Sequence, residues 1–296
     1  MSSFPSPMAS KCVASVDVRT ATLKLRLMKA NLALVLSSLI VGLPFVAVAK
    51  SPIKKPPPKP IKEEPAVEAA PNFKALGIKK PYKLVYKQDF DGNEAKVKDG
   101  FWFTNPDNWR VPAVRGPSFM EFVTKGHNYK YKVRSPYIIG LVKEVEVKDF
   151  VLEAELQQTG KEYGHRDMCV FYGFQDRSHF YYTHIASVTD NHAHNCFIVN
   201  DKPRTKISHE TTKGHKWGAK DWHQVRVVRE HASGKIEIYV NDMKKPIMRA
   251  TDKTFDWGLI GFGTFDDTGR VRKVRLYAPE SRKAKAGDPF VEGRKK

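Results

Sequence analysis

The chain has 296 residues, with 51 Lys or Arg against 32 Asp or Glu, a formal charge of +19. That charge favours acidic partners, namely an anionic polysaccharide, a lipid or wall surface, or nucleic acid. No nucleic-acid recognition module accompanies it, so nucleic acid is not expected. With only three cysteines, no disulfide framework is expected either.

At the N-terminus, Lys24, Arg26 and Lys29 precede an apolar run from Leu32 to Ala49 that closes on Ala47-Val48-Ala49. A basic stretch, an apolar stretch and small terminal residues make a secretory signal peptide, cleaved after Ala49. The run is about 18 residues, the lower edge for a spanning helix, and Pro44 interrupts it. Residues 1–49 are therefore expected to be removed, leaving a secreted, periplasmic or cell-surface protein without a membrane anchor. Removal takes five basic residues and one acidic residue, leaving 46 − 31 = +15. Residues 50–72 form a Pro/Lys/Glu linker that can build no core. Residues 280–296 read as a basic disordered tail.

Between these ends, residues 73–279 read as one domain large enough for a sizeable core. Short runs of β-branched and aromatic residues alternate with Gly, Asp, Asn, Pro and Lys clusters. Strands are expected at Tyr82–Phe90, Phe101–Phe103, Trp109–Val114, Tyr129–Arg134 and Phe150–Gln157. A short turn joins Met168–Phe174 to Phe180–Ile185 as a hairpin, and Cys196–Val199 follows. Trp222–Arg229 and Lys235–Val240 flank a second turn, His231–Gly234. Lys245–Ala250, Gly258–Phe265 and Val271–Tyr277 close the set. So many strands predict an all-β fold, a two-sheet antiparallel β-sandwich of jelly-roll type. Val225, Val227, Ile236, Ile238, Ile260 and Phe262 are expected inside. Cys169 and Cys196 fall about two strands apart, roughly 9–10 Å, beyond disulfide reach.

The segments DFVLEAEL (149–156), FYGFQDRSHFYYTHI (171–185), DWHQVRVVRE (221–230), GKIEIYVND (234–242) and GLIGFGTFDDTGRVRKVRLY (258–277) follow one another in a familiar order. Together they resemble the concanavalin A-like lectin/glucanase superfamily, including laminin-G-like and bacterial 3-keto-disaccharide hydrolase-type domains. The resemblance implies a curved sandwich and a glycan ligand, but no single activity. The E-x-D-x-x-E strand of its retaining glucanases is missing. Glu153-x-Glu155 comes nearest and reads as an outward strand face. The asparagine-serine pair of the keto-disaccharide group is also missing from 160–167, although Arg166 is kept.

Candidate site residues cluster in FYYTHIASVTDNHAHNCFIVN (180–200). Phe180, Tyr182 and His184 share one strand face; Tyr181, Thr183 and Ile185 share the other. If the second set faces inward, Tyr182 and His184 stand on the open face, where rings stack on sugars and imidazole moves protons. In a lyase, His184 or His194 would take a proton alpha to a uronate carboxyl group, with Tyr182 as acid. Arg166 and Arg204 would clamp a carboxylate or sulfate, Asn195 would help neutralise it, and Trp217 would stack on a sugar. Otherwise, His184 is a buried strand histidine bonded to backbone. Asp190-x-His192-x-His194 would place metal ligands on one face if extended, although Asp190-Asn191 signals a turn. Asp89, Asp91, Asp266 and Asp267 lie where the resemblance implies a structural calcium, the one cofactor expected. The expected protein is a monomeric, exported binder of anionic polysaccharide. The competing readings are a polysaccharide lyase or glycoside hydrolase, and a non-catalytic adhesion module.

Overall fold

The computed structural model describes residues 69–123, 129–285 and 287–291. The expected signal peptide and most of the linker lie outside the described residues. In chain order the strands are β1 (Lys83–Gln88), β2 (Phe101–Phe103), β3 (Trp109–Arg110), β4 (Met120–Phe122), β5 (Ile138–Val142), β6 (Val145–Glu146), β7 (Phe150–Gln158), β8 (Asp167–Asp176) and β9 (His179–Ala186). They continue as β10 (Asn195–Asn200), β11 (Thr205–Lys206), β12 (Ser208–Thr211), β13 (His223–Glu230), β14 (Lys235–Val240), β15 (Met248–Thr251), β16 (Leu259–Thr264), β17 (Gly269–Ala278) and β18 (Arg282–Lys283). One short helix, Glu94–Asp99, begins at an Asn93 cap.

Two antiparallel sheets form the sandwich. The nine-stranded sheet runs β12-β15-β14-β13-β7-β17-β4-β3, with β1 also paired to β17; the seven-stranded sheet runs β11-β10-β9-β8-β16-β5-β2. The expected hairpins are both present, closed by the pairs Asp176↔His179 and Glu230↔Lys235. Val225, Val227, Ile236, Ile238, Ile260 and Phe262 are all buried in the core between the sheets. Trp217 is there too, fully buried.

Alternation along β9 resolves the face question. Tyr181 and Ile185 enter the core between the sheets, while Phe180 and Tyr182 join a second apolar cluster on the outer face of the seven-stranded sheet. That outer face is covered. Tyr129 and Phe290 pack over Phe171, Phe174, Phe180, Tyr182 and Phe197, which stack as a layer of rings.

Two expectations change here. Tyr129–Arg134 alternates in sequence but forms no strand; Tyr129 is buried in the ring layer, whereas the exposed Tyr131 stacks on Tyr137 instead. The stretch after residue 279 is not wholly a solvated spacer, because β18 pairs with β6 and Phe290 is buried against Phe174 and Tyr129. Cys169 and Cys196 are free, buried thiols. Strand β9 separates them, and they face opposite sides of the sheet, since Cys169 pairs with His184 and Cys196 with Thr183.

The outer face of the nine-stranded sheet is partly covered by Phe73, Leu76 and Ile78, which pack on Val151, Val228, Tyr239 and Tyr277. Beside that patch, Glu153 and Glu155 do point outward. Glu153 accepts from Arg226 Nε at 2.8 Å. Glu155 pairs with Arg272 at 2.6 Å and Lys273 at 3.1 Å. Both carboxylates are buried and neutralised by these partners, so they are structural ion pairs, not a hydrolytic pair.

Candidate functional site

A cavity of about 190 Å³ opens where β8 begins, β9 ends and β16 ends. Its walls come from several separate segments. Strand β8 contributes Asp167 and β9 contributes His184. The turn before β11 supplies Arg204, and the segment before β5 supplies Arg134 and Tyr137. Tyr163 and His165 enter from the loop before β8, His192 from the turn before β10, and Phe265 and Asp266 from the turn after β16.

Arg204 gives the cavity its character. Its guanidinium lies over the Phe265 ring at 4.4 Å and over Phe197 at 5.4 Å. Such stacking holds the fork in place and leaves its edge to hydrogen-bond. Arg204 Nη1 and the Tyr182 hydroxyl are both buried, and the guanidinium faces that hydroxyl. A guanidinium carries five donors and one hydroxyl occupies few of them, so the side of Arg204 that lines the cavity can still donate to an acceptor. Arg134 stands on the same ring, 5.7 Å from the Phe265 centroid.

His184 is held by the backbone. Its Nδ1 accepts from the His194 N–H at 3.3 Å. Its Nε2 therefore carries the proton and faces Asp167 Oδ2 at 3.4 Å. Burial first, then the charge of Arg204, keeps the ring far below the usual histidine range and so neutral. With its lone pair occupied, this ring is a donor and not a base.

Asp167 is fully buried, and accepts from Thr264 Oγ1 at 2.9 Å, the Phe265 N–H at 3.1 Å and Cys169 Sγ at 3.1 Å. Burial and then the charge of Asp267 push its carboxyl up to about 7, against the pull of these donors. Asp267 Oδ2 in turn accepts from the Tyr163 hydroxyl at 2.7 Å and the Asp167 N–H at 3.1 Å.

Two groups here have metal-ligand chemistry, Asp167/Cys169/His184 and Asp167/Asp266/Asp267, each with donor atoms within 4.8 Å of one another. The first does not fit a metal. A ligating imidazole normally donates its second N–H outward, whereas His184 Nδ1 accepts one, and the Cys169 thiol is held well above its usual range by burial and by Asp167. In the second, Asp167 and Asp267 already spend oxygens on protein donors. Of the calcium set expected from sequence, Asp266 and Asp267 come together with Asp167, and Asp89 and Asp91 do not join them. Asp89 pairs with Arg275 at 2.6 Å and Lys87 at 3.1 Å and Asp91 is exposed, while Asp266 lines the cavity and Asp267 lies behind it, bonded to Tyr163.

The remaining sequence candidates take up other duties. Arg166 is buried and fully employed, bonding Gln158 Oε1 at 2.6 Å, the Gly218 carbonyl at 2.8 Å, and Glu162. His194 adopts a left-handed φ of 53°. It turns its ring away, with Nδ1 accepting from the Ala186 N–H and Nε2 against Thr212 Oγ1 at 2.9 Å, and burial pushes it down to about 4. Asn195 Nδ2 closes its own turn on the Asp190 and Ala193 carbonyls. Trp217 stacks edge-on against His215 and His223 inside the sandwich end. Asp190 does not share an extended face with His192 and His194, because its carboxylate caps the N–H groups of His192 and Ala193 in a tight turn. Of the sequence candidates, His184, Arg204, His192 and Asp266 line the cavity, and Tyr182 lies beside Arg204. Arg134, His165, Asp167 and Tyr137 carried no strong sequence signal. Asp167 alone offered one, a carboxylate heading an otherwise apolar strand.

No family model matches the chain, and no curated protein matches it by sequence. Several solved structures are similar in fold. The carbohydrate-binding module CBM66 from Bacillus subtilis has 16% identity and a TM-score of 0.44, over 60% of this chain and 96% of its own. A Bacillus subtilis protein with a galectin-like fold has 10% identity and a TM-score of 0.44, over 67% and 97%. LamAcat from Zobellia galactanivorans has 8% identity and a TM-score of 0.42, over 66% and 97%.

Proposed function

We propose that this is an exported carbohydrate-binding sandwich that takes one anionic sugar unit, a uronate or sulfated sugar, into the cavity at the end of the seven-stranded sheet. The observation that carries this reading is Arg204, stacked on Phe265 and lining the cavity with its guanidinium. Arg134 beside it supports a two-arginine grip on a carboxylate or sulfate. Asp266, also on the wall, offers acceptors for sugar hydroxyls, which a simple inorganic anion lacks. The cavity is smaller than the roughly 300–1,000 Å³ of sites for larger ligands, so it suits one unit and not a long groove-bound chain.

Binding without turnover is favoured over elimination, because the His184 lone pair accepts the His194 N–H and is not available to take a proton. Titration calorimetry with galacturonate, glucose and inorganic sulfate tests the reading. Galacturonate should bind, glucose and sulfate far more weakly, and Arg204→Ala should lose galacturonate. Equal binding of glucose would overturn it. Unsaturated sugar ends appearing in a uronic polysaccharide incubated with the protein would replace it with a lyase.

A further inference from the structure

The aromatic wall of the cavity continues outside it. Tyr137, on the wall, meets Phe265 edge-on at 4.8 Å, and its other neighbour is Tyr131, stacked at 5.4 Å and 25°. Tyr131 is 36% exposed. Tyr131, Tyr137 and Phe265 thus form a train of rings from solvent to the ring under Arg204. The two tyrosine hydroxyls interact with each other, which helps hold the outer ring in place. Tyr131 belongs to a segment whose preceding anchor, Tyr129, is buried against Phe290, so the exposed ring is presented from a packed base.

We infer that the exposed Tyr131 ring, braced by Tyr137, is a second sugar subsite, which receives the unit linked to the one held by Arg204. The inference rests on the cavity being a sugar-acid site. A pyranose presents an apolar C–H face that an exposed aromatic ring can cover, and the ring needs only two fixed torsions to do so. The protein then recognises the end of an acidic chain as a pair of units: the charge of the terminal one and the ring face of the next.

Calorimetry with galacturonic acid monomer, dimer and trimer tests this. In the wild type the dimer should bind roughly tenfold tighter than the monomer, with at most about a twofold further gain for the trimer. Tyr131→Ala should leave the monomer unchanged and erase the gain of the dimer, whereas Tyr131→Phe should keep it. Circular dichroism and melting should match wild type for both variants, since the side chain is partly solvated. A dimer no tighter than the monomer, or a gain that survives Tyr131→Ala, overturns the subsite alone. Failure of all three sugars to bind overturns the cavity reading and the subsite with it.

Discussion

On the outer face of the nine-stranded sheet, every buried charge has met its opposite: Glu153 with Arg226, and Glu155 with Arg272 and Lys273. On the outer face of the seven-stranded sheet, Arg204 lies on a bed of phenylalanines with the Tyr182 hydroxyl beside it and no carboxylate paired to it among the described residues. Both are arginines on outward faces of one sandwich, and from sequence alone they look alike. What separates them is the partner. A charge paired with its opposite holds the sheet together, and one set on rings beside a neutral hydroxyl keeps donors facing the cavity.

The sharpest break between the two faces should come from Glu153→Ala. It leaves Arg226 buried without its carboxylate and should cost about 3–5 kcal/mol in urea denaturation, with sugar binding by the folded fraction unchanged. A loss under about 1 kcal/mol would show that the pair is no more than a surface contact. Arg204→Ala should do the reverse. Galacturonate affinity should fall by about 100-fold, as expected when charge-assisted hydrogen bonds are removed, while the melting temperature barely moves. A variant that melts early but binds normally would put Arg204 with the structural arginines.

Asp167 brings pH into the comparison. In the folded chain its carboxyl keeps a proton up to about pH 7, whereas an unfolded aspartic acid releases it near 3.8. Between those values the folded state binds more protons. The contribution of this group is therefore complete below pH 3.8 and is lost as pH rises through about 7. Asp167→Asn should gain ground on the wild type as pH rises from 5 to 8, read from paired urea midpoints. A constant difference would remove the buried carboxyl from the account. Ionisation also adds a negative charge to the cavity wall, so galacturonate affinity should weaken a few-fold over the same range. The smallest effect expected is none at all. Reductant should leave the melting temperature unchanged, and a thiol reagent should label Cys169 and Cys196 only on unfolding.

Much of the fold was legible because hairpins write themselves into sequence. The runs around Gln175–Ser178 and His231–Gly234 carry both the alternation and the turn. Ile138–Val142 was missed for the opposite reason, since all five of its residues are buried and the run shows no alternation. Tyr129–Arg134 alternates in sequence but forms no strand, and of its tyrosines Tyr129 packs on the ring layer while Tyr131 is exposed. The site was harder to read. His184 could be picked out, as could Arg204, but Arg134, Tyr137 and His165 reach the cavity only because strand ends and turns gather there. A single buried Phe290 in a charged stretch gives no pattern at all.

The main-chain donor of His194 has a further consequence for what this scaffold can become. It fixes the proton on the far nitrogen of His184, and an amide N–H survives every replacement except proline. Exchanging side chains around the cavity would therefore change its lining but would not free that imidazole to accept protons. Acquiring chemistry at this position would require lengthening or shortening the 187–194 turn, so insertions and deletions there, more than point changes, are where a catalyst would emerge from a binder.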